Sequence, residues 1–186
     1  MSRPSTASCA RISPARRRAS ASPASRRTER AVLAFTLNGA AAIVDMPETT
    51  PLLHALRGPL GLSGPRFGCG AEQCGACVVL LDGRVAYACT LPVSAVAGCS
   101  VTTVEGLGTP ETPHPLQRAF LGEQAGQCGF CLSGILVAAA ALLARDPDPE
   151  DAAIRAALDP HLCRCGSHNR IIRAVRRAAA EMRGAA

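Results

Sequence analysis

The period of the apolar positions changes once along this chain, near residue 110. Before that point the apolar runs are short and separated by turn signals, as strands are. Val32–Leu37 is such a run, Asn38-Gly39 is a hairpin turn, and Ala41–Met46 reads as the returning strand. Leu52, Leu53 and Leu56 have helical spacing, and Gly58-Pro59 ends that helix. A glycine-rich loop follows over residues 63–77. Val78–Leu81, Asp82-Gly83 and Val85–Leu91 then predict a second hairpin, and Val101–Val104 a last strand.

Gly106–Pro113 (GLGTPETP) reads as a linker. Beyond it the spacing is helical. Leu116, Ala119 and Phe120 mark one helix, with Pro115 suited to its first turn. Ser133 is placed to cap a second, running Gly134–Arg145, whose apolar stretch is too short for a membrane span. Asp148 and Pro149 are the expected cap and first residue of a third. Ile171, Ile172, Val175, Ala178, Ala179 and Met182 form the apolar stripe of a fourth, with Arg173, Arg176, Arg177 and Arg183 mostly off it. The pattern predicts an α+β fold: a small α+β domain over 31–105, a linker over 106–113 and a four-helix domain over 114–183.

Charge changes this picture only at the amino end. The formal net charge is +6, but residues 1–30 hold eight Arg and one Glu, while the other 156 hold twelve Arg and thirteen acidic residues. The basic character thus belongs to a Ser-, Pro- and Arg-rich segment with almost nothing to bury. A disordered tail, a transit-like leader and translation from a mis-called start all suit it. A twin-arginine export reading lacks the apolar stretch that should follow. Without a basic stripe on the fold, a nucleic-acid partner is not expected.

The candidate chemistry lies in eight of the ten cysteines. Cys69-x4-Cys74-x2-Cys77 with Cys89, and Cys128-x2-Cys131 with Cys163-x-Cys165, form two quartets. Four thiolates on short glycine-rich turns are what an iron–sulfur cluster requires, and the first spacing is the plant-type one. Disulfide scaffolds spread their cysteines across loops of secreted chains, unlike these tight groups. Structural zinc usually takes paired C-x2-C knuckles, which the first quartet lacks; the second could hold zinc on spacing alone. Cys9 falls in the basic segment, and Cys99 reads as a small buried hydrophobe. The four histidines, His54, His114, His161 and His168, are not needed as ligands and read as structural or interfacial. Glu72 reads as a solvated loop carboxylate. No carboxylate pair, nucleophile–base set, P-loop or G-x-G-x-x-G stands out, so substrate chemistry and nucleotide or flavin binding are expected elsewhere.

These residues resemble a known family. Gly68-Cys69-Gly70 through Cys74-Gly75-Ala76-Cys77, then Gln127-Cys128-Gly129-Phe130-Cys131, then Leu162-Cys163-Arg164-Cys165-Gly166 are similar to the small iron–sulfur subunit of molybdenum hydroxylases, the group of xanthine dehydrogenase and aldehyde oxidoreductase. The resemblance spans about Val32 to Ala180. It implies a β-grasp ferredoxin-like 2Fe–2S domain followed by a four-helix 2Fe–2S domain. It also implies a partner, a large subunit that binds molybdopterin, with Gln127 contacting the pterin and Cys165 approaching it. Electrons would pass from the bundle's cluster to the ferredoxin-like one, then to a cytochrome or an FAD subunit. Gln124 through Ile135, Pro113-His114-Pro115 and Ile172 through Ala178 look like nicotinate and isoquinoline hydroxylase small subunits, which implies an N-heteroaromatic or aldehyde substrate. Ser133 stands where many relatives have Pro, His161 where they often have Asn, and Ser167-His168-Asn169 replaces a commoner Thr-Tyr-Pro or Thr-His run. Cluster loading points to the cytoplasm, or to a complex carried elsewhere by a partner's signal. The competing reading is a free-standing ferredoxin, in which the helical domain and Gln127 would have no use.

Overall fold

A computed structural model of the chain describes residues 30–184. The basic segment, apart from Arg30, lies outside them, as does Cys9. The first hairpin pairs β1 (Arg30–Leu37) with β2 (Ala40–Pro47) in antiparallel register from Arg30↔Pro47 to Leu37↔Ala40. Its turn places Asn38 at φ 51° and Gly39 at φ 84°, the twist that suits a two-residue connection. Helix α1 (Leu52–Arg57) follows, with Leu52, Leu53, Ala55 and Leu56 all buried. A second tight hairpin joins β3 (Val78–Leu81) to β4 (Arg84–Tyr87) through Asp82-Gly83, and β5 is the short Ser100–Thr102.

The five strands lie in the order β2-β1-β5-β3-β4, with β5 parallel to β1 and antiparallel to β3. One face of this sheet closes on α1, so that Phe35, Val44, Val79 and Val101 share a core with its leucines and with Val93 and Val96. Cys99 is buried in the same core. The sheet is held to the cysteine loop by a polar relay. The Asn38 carboxamide donates to Thr103 Oγ1 at 3.0 Å and accepts the Thr103 N–H at 2.8 Å. Thr103 in turn donates to Glu105, whose other oxygen takes the N–H of Gly64 at 2.6 Å.

Four helices complete the chain: α2 (Pro115–Gly122), α3 (Leu132–Arg145), α4 (Asp151–Leu158) and α5 (His168–Gly184). The second core joins Leu116 and Phe120 of α2 to Ile135 and Leu142 of α3, Ile154 and Leu158 of α4, and Ile171 and Val175 of α5. Helix α3 is buried nearly all round because one side faces this core and the other packs on β3. The α5 stripe is buried as its spacing predicts, apart from the partly exposed Met182.

Local details depart from the sequence expectations. The β4 strand ends at Tyr87, so Cys89 sits in the turn beyond it and not on the strand. The last strand stops at Thr102, because Thr103 turns to meet Asn38 and residues 104–106 form a 3-10 turn. Helix α3 begins at Leu132, so Ser133 lies inside it; its buried hydroxyl faces the Ala76 carbonyl at 3.5 Å and caps nothing. Helix α4 begins at Asp151 with Glu150 as its cap residue, while the carboxylate of Asp148 pairs with Arg183 at 2.6 Å.

His114 caps α2. Its Nδ1 accepts the Leu116 N–H at 3.1 Å, and Gln117 Oε1 accepts the His114 N–H at 2.8 Å. Burial, then the charge of Arg118, lowers its pKa below the ordinary 6.5. The unfolded chain therefore takes the proton first, and the cap's contribution is lost as pH falls through 6.5 and below. His114→Ala should cost about 1 kcal/mol in chemical denaturation at neutral pH, with the gap to the parent shrinking in acid.

Candidate iron–sulfur sites

The first quartet is gathered by a loop and a turn. Residues 63–77 lie between α1 and β3, and the turn after β4 brings Cys89 back beside Cys77. Within the loop, the N–H groups of Ala71 and Gln73 donate to Cys69 Sγ at 3.3 and 3.2 Å, and the Cys69 N–H donates to Cys74 Sγ at 3.3 Å. The Ala71 and Gln73 N–H groups, Ala71 first, lower the Cys69 thiol to about 7. Cys77 shows the opposite: burial pushes it up to about 12, helped by the thiols of Cys89 and Cys74. Gly68 keeps the loop tight, since a Cβ there would lie 2.6 Å from Cys74 Sγ.

The second quartet lies at the helix ends. Cys128 and Cys131 precede α3, and Cys163 and Cys165 lie between α4 and α5. Cys128 and Cys165 stand 3.7 Å apart, sulfur to sulfur, and Cys131 is paired with Cys163. Cys128 is lowered by the Phe130 N–H and then by the Cys165 thiol. Burial alone would raise Cys163, but the N–H groups of Ser167, Cys165 and Gly166 and the Cys131 thiol outweigh it, so its net shift is downward. Cys131 is pushed up to about 12 by burial and by Cys163.

The thiols therefore fall into pairs: Cys69 with Cys74, Cys77 with Cys89, Cys128 with Cys165, and Cys131 with Cys163. Two thiolates at about 2.3 Å on one tetrahedral metal stand roughly 3.8 Å apart, the Cys128–Cys165 separation. Among the described residues no three ligating side chains meet at a single-ion point. Two pairs per quartet are the arrangement for two bridged irons, and fit a mononuclear metal poorly. The buried thiols Cys77 and Cys131 make the same point. The charged neighbours that shift each are other thiols, so ionising them calls for a bound cation. The residues fit a 2Fe–2S cluster at both places.

The structure gathers the eight predicted cysteines as two quartets and places Gln127 beside the second. Gln127 is exposed and lines an open groove of about 960 Å³ with Phe120, Leu121, Leu132 and Arg170. Sequence reasoning missed how the sites are tied down. Glu72, read as a solvated carboxylate, accepts the Thr90 hydroxyl, linking the loop to the Cys89 turn. It does so from a left-handed backbone, φ 60°. His161 is buried between the two quartets.

The descriptions of known families follow the same division. A 2Fe–2S iron–sulfur cluster binding domain matches residues 35–104, and a further 2Fe–2S binding domain matches residues 103–176. One of the subunits of nicotinate dehydrogenase from Pseudomonas putida is 50% identical over 147 residues, which are 79% of this chain and 94% of that one. The alpha subunit of isoquinoline 1-oxidoreductase from Brevundimonas diminuta is 50% identical over 151 residues, 81% of this chain and 99% of the relative. The chain belongs to the iron–sulfur subunits of the molybdenum hydroxylases. The quinoline 2-oxidoreductase structure from Pseudomonas putida 86 superposes with a TM-score of 0.80 at 34% identity, covering 84% of this chain and 98% of that one. As in that family, its part is electron transfer, with two 2Fe–2S clusters as cofactors.

The two sites meet through backbone. A Cβ on Gly134 would lie 1.9 Å from the Gly75 carbonyl oxygen, and one on Gly75 would lie 2.2 Å from His161 Nδ1. Gly75 also has φ 71°. Gly134→Ala should therefore destabilise the chain by about 1–3 kcal/mol, the cost of overpacking where backbone cannot yield. Thermal denaturation of the assembled protein checks this; an unchanged midpoint would contradict the close approach.

Proposed function

We propose that this chain relays electrons within a molybdenum-dependent hydroxylase whose large subunit binds molybdopterin and oxidises the substrate. Cys69, Cys74, Cys77 and Cys89 hold one cluster; Cys128, Cys131, Cys163 and Cys165 hold the other. Each cluster, when bound, supplies a one-electron acceptor and donor. The pairing of the thiols, with N–H groups already turned toward Cys69, Cys128 and Cys163, is the observation that carries this reading.

The second site is the one suited to face the partner. Cys128 is exposed, Gln127 opens into the groove, and Leu121, Leu162 and Phe130 are apolar side chains left 79%, 65% and 44% exposed around it. Apolar surface of that kind suits a permanent contact between subunits better than a freely diffusing carrier. Gln127 and Cys165 are the residues assigned to the pterin side. The likeness to nicotinate, isoquinoline and quinoline enzymes supports an N-heteroaromatic substrate on the large subunit, with an aldehyde as second choice. A cytochrome or FAD subunit takes the electrons from the first site, where Cys69 is exposed. Among the described residues no helix is long and apolar enough to cross a membrane. Cluster insertion suits assembly in the cytoplasm.

Cys165→Ser tests the assignment. Iron in the purified complex should fall from about four to about two per chain. One of two low-temperature EPR signals should vanish, and substrate turnover should stop. A variant that keeps both signals and full activity would refute it.

A further inference from the structure

His161 has no role in the reading above, yet it is tightly enclosed. It is 3% exposed, and its Nδ1 is buried without a hydrogen-bond partner. The ring lies directly on Gly75, next to the ligand candidate Cys74, and against Gly134 of α3. The backbone around it is fixed on both sides. The His161 N–H donates to the Leu158 carbonyl at 2.9 Å, and its own carbonyl lies 3.3 Å from His168 Nε2. The next residue, Leu162, donates its N–H to the Cys74 carbonyl at 3.1 Å.

That last bond joins the two quartets. From Cys74 Sγ the covalent path runs through Cβ, Cα and the carbonyl; it crosses to the Leu162 N–H and continues through one peptide to Cys163 and its sulfur. Beside it lie the Gly75–Gly134 backbone approach, which is a packing contact without a hydrogen bond, and two side-chain contacts. The Arg66 guanidinium lies over the Phe130 ring at 5.5 Å, and Ser133 Oγ faces the Ala76 carbonyl at 3.5 Å. Electronic coupling decays less through bonds and hydrogen bonds than across gaps, so this path is favoured as long as the loops stay in register.

We propose that His161 is a positioning residue for electron transfer between the two sites, its ring wedging the 161–163 segment so that Leu162 N–H stays on the Cys74 carbonyl. This rests on the ligand assignment above. The step moves one electron from the reduced site to the oxidised one, with no bond made or broken and no proton required. His161 touches neither substrate nor acceptor. A small side chain at this position leaves a void over Gly75 and frees Leu162, itself mostly exposed, to drift from Cys74.

The test uses the whole complex and compares the parent with His161→Ala and with His161→Gln as the conservative variant. Iron content should be unchanged in both. In His161→Ala the two EPR signals should persist, but their mutual spin–spin splitting should shrink. Freeze-quench EPR after a substrate pulse should show reduction of the first site slowed several-fold, with His161→Gln restoring part of both. Parent-like splitting and intersite rate in a fully loaded His161→Ala complex would overturn the proposal. Should that variant not assemble, the parent complex labelled with nitrogen-15 leucine decides the matter. Pulsed EPR should detect spin density on a leucine amide nitrogen when the first site is reduced, and its absence would overturn the proposal. Failure of the ligand assignment would look different, since the parent itself would then lack two 2Fe–2S signals.

Discussion

The rest of this structure depends on two backbones touching where two domains meet. The loop that carries Cys74 and Cys77 presents Gly75 to the first turn of α3, and α3 presents Gly134 in return. A Cβ on Gly134 would run into the Gly75 carbonyl, and one on Gly75 would run into the His161 ring. Because α3 starts immediately after Cys131, this contact also fixes where the second quartet lies relative to the first. Two cofactor sites on flexible hinges would have a variable separation. Here the separation is set by atoms in van der Waals contact, with Leu162 N–H and Ser133 Oγ adding polar ties across the same seam. Steep distance dependence is the physical reason that an electron carrier needs such rigidity.

The thiol environments show a second constraint. Each quartet mixes exposed cysteines served by N–H groups with buried ones. Cys69 and Cys128 are exposed and supplied with backbone donors, while Cys77 and Cys131 are buried and pushed to about 12. Donors turned toward sulfur stabilise negative charge, and burial excludes water. A cluster seated between the two would have one side toward the surface and one toward the core, and contacts just beyond the ligands set its potential. Burial of Cys77 and Cys131 disfavours their thiolates, so a cation bound there would couple loading to folding.

Much of this was legible in the sequence, and for identifiable reasons. The hairpin at Asn38-Gly39, helix α1 and the α5 stripe follow from short-range rules that tertiary packing did not override. The eight cysteines stood out by spacing, and the fold gathers them as two quartets because they are near in the chain or returned by a tight turn. What escaped were features set by contacts distant in sequence. Thr103 ends β5 because Asn38, 65 positions earlier, takes its N–H. Ser133 looked like a cap, but its turn is buried against Ala76, so the helix starts earlier and the hydroxyl faces the other domain. Asp148 looked like a cap too, and instead meets Arg183 on the far helix. Glu72 gave no local sign that Thr90 would bind it.

In the sequence nothing local gives His161 work to do. In the fold it is the side chain that fills the angle between Gly75, Gly134 and the segment leading to Cys163. Burying an imidazole nitrogen without a partner is unfavourable, and desolvation lowers its pKa to about 4. The ring is therefore neutral and acts by its shape. An Asn in the same place would be smaller and would bring two polar groups needing partners. The surrounding glycines leave room for the larger ring, and a flat, rigid side chain holds two backbones apart at a fixed distance with little rotamer freedom to lose on folding. The ring thus gives up polar satisfaction to serve as a stiff spacer at the point where the two sites come together.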